Sequence, residues 1–115
     1  MRMSSLNLSI LLTALVCTNL NADGKDNLIA KGEALFEAKC DFCHGSGLQK
    51  SGTTMLERRY KGTVPATWRD RTNLTPALIE NFVRNQTRGM APFRPTELTD
   101  DDMNALIAYL MRNNP

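Results

Sequence analysis

The feature that most restricts this chain is the pentapeptide Cys40-Asp41-Phe42-Cys43-His44. Two thiols separated by two residues, followed at once by an imidazole, place two nucleophiles and a metal ligand on one short stretch. The thiols suit addition across the two vinyl groups of a haem, and the adjacent imidazole suits its iron. Other uses of the motif are narrowed by composition, because His44 is the only histidine. A structural zinc site needs four ligands, and the remaining cysteine, Cys17, lies in a segment expected to be removed. A thioredoxin-type redox pair needs a preceding strand in a βαβ setting, whereas residues 27–39 carry a helical pattern. A plain disulfide between Cys40 and Cys43 explains neither the histidine nor the methionine considered below. The expectation is one covalent haem c on Cys40 and Cys43, with His44 as an iron ligand.

Met1 to Ala22 carries Arg2 near its start, an apolar run from Leu6 to Val16, and a small residue, Ala22, before Asp23. This pattern fits a secretory signal peptide and is too short for a membrane span. Cys17 raises the alternative of a lipid anchor, but Val16 stands where a small residue would precede a lipidated cysteine. We therefore expect residues 1–22 to be removed, leaving 23–115 as one monohaem domain in the periplasm with no stable membrane insertion. The chain has 115 residues, so this leaves 93, a size at which a cofactor commonly supplements a modest core.

Of 14 basic residues Arg2 leaves with the leader, so 13 face 12 acidic ones. That balance names no polyanionic partner, and no recognised motif points to nucleic acid. The stretch from Lys50 to Arg94 is locally basic, with nine cationic and three anionic side chains. A solvated surface, a docking face and pairing with haem propionates are all open uses of that charge.

The first helix is expected to be capped by Asp26 or Asn27 and to carry Leu28, Ile29, Gly32, Leu35 and Phe36 on its apolar face. Gly32 costs such a helix about 1 kcal/mol relative to alanine, which is understandable where another helix crosses closely. The last helix is the expected partner. There Thr99 and Asp102 form a near capping box ahead of Met103, Leu106, Ile107, Leu110 and Met111, and Tyr109 flanks the stripe within reach of Gly32 or Phe36. Thr75 and Pro76 open a further helix with Leu78, Ile79, Phe82 and Val83, and Gly89 is expected to end it. From Gly45 to Leu74 the pattern is weaker, with short helical turns expected over 53–60 and 65–70. No period-two strand run or internal repeat is present. The expected fold class is all-α, with three to five helices around one covalently bound haem.

Opposite His44 the iron can carry methionine or nothing, since a second histidine does not exist. Met55 follows His44 too closely to cross easily to the other haem face, and Met103 and Met111 lie on the apolar stripe of the last helix. Met90, in the loop Gly89-Met90-Ala91-Pro92-Phe93, is the preferred ligand, with proline stiffening the backbone beside it. Histidine and methionine together fill the coordination sphere and favour ferrous iron. The expected work is one-electron transfer and not catalysis on a substrate. A backbone carbonyl near Ser51 or Gly52 is the expected acceptor for the second ring nitrogen of His44.

Gly32 with Phe36, the Cys40-Cys43-His44 motif, the Met90 loop and the Tyr109-bearing last helix together resemble the class I c-type cytochromes. The resemblance covers most of the mature chain and implies that family's helical fold around haem c. A narrower set comprises Gly52-Thr53, Leu56, Arg58-Arg59, 71–76, Val83-Arg84-Asn85 and 90–97. It is similar to the small cytochrome subunit of p-cresol methylhydroxylase-type flavocytochromes. That likeness implies a flavoprotein dehydrogenase partner with covalent FAD, acting on para-alkylphenols and passing electrons singly to the haem, and then a downstream redox acceptor protein. The alternative is a free carrier between dehydrogenase partners and a terminal oxidase. Two departures stand out: Ala91 occupies a place where proline usually follows the ligand methionine, and no proline precedes Gly52. For docking, Ala91, Pro92 and Phe93 offer an apolar patch that Arg84, Arg88 and Arg94 would flank.

Overall fold

The computed structural model describes residues 19–47, 49–87 and 89–115. The apolar run and Cys17 of the expected leader lie outside the described residues, as does Arg88. Among the described residues there are five α-helices and one 3-10 turn, with no strand beyond an isolated bridge between Thr87 and Met90.

Helix α1 runs from Asn19 to Lys39 and so begins well before the expected cap at Asp26 or Asn27. Nothing between Asn19 and Asp26 breaks a helix as proline would, and residues 23–28 are all exposed. Leu28, expected on the apolar face, stays exposed, and burial begins with Ile29. From Gly32 onward the expectation holds closely. A Cβ on Gly32 would collide with the Ala105 carbonyl and lie 2.7 Å from Tyr109 Cβ. One turn later Phe36 meets the Tyr109 ring at 5.7 Å between centroids. Any side chain at position 32 would therefore force the two terminal helices apart.

The partner is α5, Asp100–Leu110. Its start is a full capping box: Thr99 Oγ1 accepts from the Asp102 amide at 3.2 Å, and Asp102 accepts from the Thr99 amide at 3.1 Å. Lys31 of α1 donates to Asp102 at 2.8 Å, and this bond, followed by the capping bonds, holds the Asp102 carboxyl down at about 2. A folded-state value below the unfolded one stabilises at higher pH, so this tie is complete above the ordinary carboxylate range and lost as pH falls toward 2.

Helix α4, Pro76–Arg84, starts as expected, with Thr75 Oγ1 accepting from the Leu78 amide at 3.2 Å and proline in the first turn. It ends at Arg84 and not at Gly89. The Val83 carbonyl, which a longer helix would satisfy, instead accepts from the Phe93 amide of the returning loop at 2.8 Å. Arg84 pins that return by donating to the carbonyls of Phe93 and Leu98 and to Asp100. Ile79 and Val83 of α4 join Phe36, Leu74, Leu98, Met103, Leu106, Tyr109 and Leu110 in one core. The weakly patterned middle forms α3, Ser51–Tyr60, and a 3-10 turn at Trp68–Asp70. The turn is tied to the C-terminal end of the chain, because Asn113 donates to the Arg69 carbonyl at 2.8 Å.

Candidate functional site

The Cys-x-x-Cys-His stretch forms a single helical turn, α2, Asp41–His44, set directly on the end of α1. The Cys40 amide donates to the Phe36 carbonyl at 2.8 Å, and the His44 amide donates to the Cys40 carbonyl at 2.8 Å. At helical spacing, residues three apart share a face. Cys40 and Cys43 are accordingly both half-buried while Phe42 between them is 85 % exposed. No disulfide joins the two cysteines. Burial pushes the Cys40 thiol up to about 11, so it lacks the depressed value of a reactive thiolate. Among the described residues no group of three or more His, Cys, Asp or Glu side chains gathers.

Burial lowers the His44 pKa, which keeps the imidazole neutral and leaves one ring nitrogen with a lone pair for a metal. The ring rests on Gly52, where a Cβ would approach Cε1 to 2.9 Å and Nδ1 to 3.0 Å. The next residue, Thr53, is buried and donates to the Gly45 carbonyl at 2.8 Å, fixing the backbone just after the histidine. The expected bond from the second ring nitrogen to a carbonyl near Ser51 or Gly52 is not formed: His44 Nδ1 is buried without a partner. Ser51 and Gly52 are the first residues of α3, so their carbonyls run along its axis into the helical ladder and away from the ring.

Met90 sits in a tight turn in which its amide donates to the Thr87 carbonyl at 2.6 Å and Thr87 donates back at 3.3 Å. Gly89 provides the left-handed residue, φ 93°, that closes it. Met90 and Cys40 are both half-buried against the same core. Met55 is 56 % exposed, and Met103 is a core residue. The apolar patch expected beyond Met90 is smaller than the sequence implied. Phe93 is half-buried against the core, leaving Ala91 and Pro92 exposed. Arg84 is tied to backbone, while Arg94 is exposed and pairs with Glu97.

Between the histidine and α4 lies a group that sequence reasoning did not single out as a site. Trp68 faces the His44 ring at 6.1 Å and meets Phe82 of α4 edge-on at 5.6 Å. Arg71 is only 4 % exposed, with its guanidinium over the Tyr60 ring at 4.6 Å and the Trp68 ring at 5.7 Å. Its Nε donates to the Pro65 carbonyl at 3.0 Å, but Nη2 has no partner, nor does Trp68 Nε1. A buried cation with an idle donor, beside an idle indole N–H, calls for an anion. The carboxylates of a haem have that chemistry, so the residues present fit the expected group. The signal available in the sequence was that Trp68 is the only tryptophan, three residues before an arginine. A cavity of about 510 Å³ adjoins this region, lined in part by Thr53, Glu57, Val64, Pro65 and Thr67, and none of Cys40, Cys43, His44 and Met90 lines it.

The family model described as cytochrome C oxidase, cbb3-type, subunit III matches residues 27–110, a span that contains the motif, the Trp68–Arg71 turn and the Met90 loop. No curated protein and no solved structure matches the chain significantly.

Proposed function

We propose that this chain, which belongs to the cytochrome c family that the cbb3-type subunit III model describes, passes single electrons between redox proteins through a haem held by Cys40, Cys43, His44 and Met90. Membership implies haem c and supports electron transfer, and the continuous match from α1 to α5 is the observation that carries the reading. The haem supplies the one-electron couple. In this proposal Cys40 and Cys43 hold it by thioethers, and neutral His44 and the soft Met90 sulfur complete the iron's ligands and favour the ferrous state. Trp68 Nε1 and Arg71 Nη2 take its carboxylates, bringing a counter-charge to a cation otherwise buried alone.

The reading places the protein in the periplasm after removal of residues 1–22; no helix among the described residues is long and apolar enough to cross a membrane. The donor we favour is a flavoprotein dehydrogenase subunit acting on para-alkylphenols, on the strength of the motifs from Gly52 to Glu97. A second reading is a free carrier that delivers electrons toward a terminal oxidase, and the oxidase named in the family's description supports only that last step. The two differ in the contact surface that reduction uses. Arg94 is an exposed cation near Met90 in the chain, and rim charges act mainly on association rate. Arg94→Glu is expected to slow stopped-flow reduction by the flavoprotein several-fold at low salt, with the difference shrinking as salt rises and the reduction potential hardly moving. Wild-type rates without salt dependence would favour the free carrier.

A further inference from the structure

The two residues between the cysteines are indifferent to thioether chemistry, yet the first of them, Asp41, is a carboxylate that the structure uses fully. Its Oδ2 accepts from Lys50 Nζ at 2.7 Å and its Oδ1 accepts from Arg69 Nη2 at 2.6 Å, both in the short range of charge-assisted bonds. These side chains are about one quarter to one third exposed, so the pairs are shielded more than ordinary surface ones. Lys50 is the residue on which α3 begins. Arg69 lies in the 3-10 turn, with its guanidinium over the Phe36 ring of α1 at 4.9 Å.

A second observation concerns Gly45. Its φ of −73° is open to any residue, so the backbone does not require glycine. Space does: a Cβ there would stand 2.5 Å from Asp41 Oδ1 and 2.7 Å from both its Cγ and its backbone oxygen. The carboxylate is folded back over the residue after the histidine, in a place kept free for it.

We propose that Asp41 is the positioning residue of the haem-attachment turn: seated on Gly45 and gripped by Lys50 and Arg69, it fixes Cys40–His44 against α3 and the 68–70 turn and balances the cationic field at the iron. This rests on the haem reading above. Without the carboxylate charge, Lys50 and Arg69 become two uncompensated cations beside the motif. A more positive field favours the ferrous over the ferric state.

The test uses the full chain matured with haem, and reads reduction potential and thermal midpoint. Asp41→Asn is expected to raise the potential and lower the midpoint. Asp41→Glu keeps the charge on a longer arm, so the potential is expected to stay near wild type while the midpoint falls. Asp41→Ala and Gly45→Ala both disturb one seat, so their combination is expected to cost less than the sum of the two. If Asp41→Asn yields no holoprotein, Lys50→Gln reads the same field by removing one cation, and a lowered potential supports the proposal. Potentials unchanged in Asp41→Asn, or in Lys50→Gln where that variant is needed, would overturn it. A wild-type chain without covalent haem would instead defeat the functional reading itself, and the wild-type spectrum recorded in the same series tells the two failures apart.

Discussion

Replacing Cys40 and Cys43 together by alanine is expected to give a chain that retains no haem and shows no cooperative unfolding. The nine-residue core is bordered on one side by half-buried groups, among them Cys40, Trp68, Met90 and Phe93. Trp68 Nε1 and Arg71 Nη2 are buried without partners. Each idle buried group costs on the order of 1–3 kcal/mol, more for a charged one, against a total of about 5–15 kcal/mol for a typical domain. A chain this short has little apolar burial to offset them. Circular dichroism during heating, with haem absorbance on the same sample, checks the expectation. A sharp melt at the wild-type temperature would mean that the fold does not depend on the group its thiols hold.

Met90→Ala is expected to change the iron itself. Loss of the thioether should abolish the weak long-wavelength band of the ferric form, lower the potential and open the ferrous iron to carbon monoxide. Axial ligands set haem potentials over a range of about 0.8 V, so this shift should exceed that of any surface change. Met55→Ala is the control, because Met55 projects into solvent, and it should leave all three properties near wild type. Were Met90 only an anchor of its turn, Met90→Ala would lower stability and leave the spectrum unchanged. Potentiometric titration with carbon monoxide difference spectra distinguishes these outcomes.

What the sequence revealed of the fold was local or periodic. Thr75 with Pro76 announced the start of α4, and Thr99 with Asp102 announced that of α5, because caps are built from residues three apart. Gly32 announced the helix crossing because a glycine inside a helix is costly unless something lies against it. What stayed hidden depends on contacts distant in sequence. The end of α4 is set by the Phe93 amide and by Arg84 reaching Leu98 and Asp100, none of which marks the residues near Gly89. Arg84 looked like a docking cation for the same reason. The early start of α1 was missed because the expected cap was placed where apolar residues begin, and a solvated helix needs none. Of the candidate site, the motif and the Met90 loop are proposed from residue type and spacing alone. The Trp68 and Arg71 donors and the Asp41 clamp are not, since burial is what gives them meaning.

The central claim, a haem c joined to this chain through Cys40 and Cys43, is tested most directly by acid-acetone extraction of the denatured wild-type protein. Thioether bonds survive that treatment, so the haem absorbance should remain with the precipitated polypeptide and the chain should show the mass of one added haem. Haem recovered in the acetone phase, with a polypeptide of unmodified mass, would contradict the account.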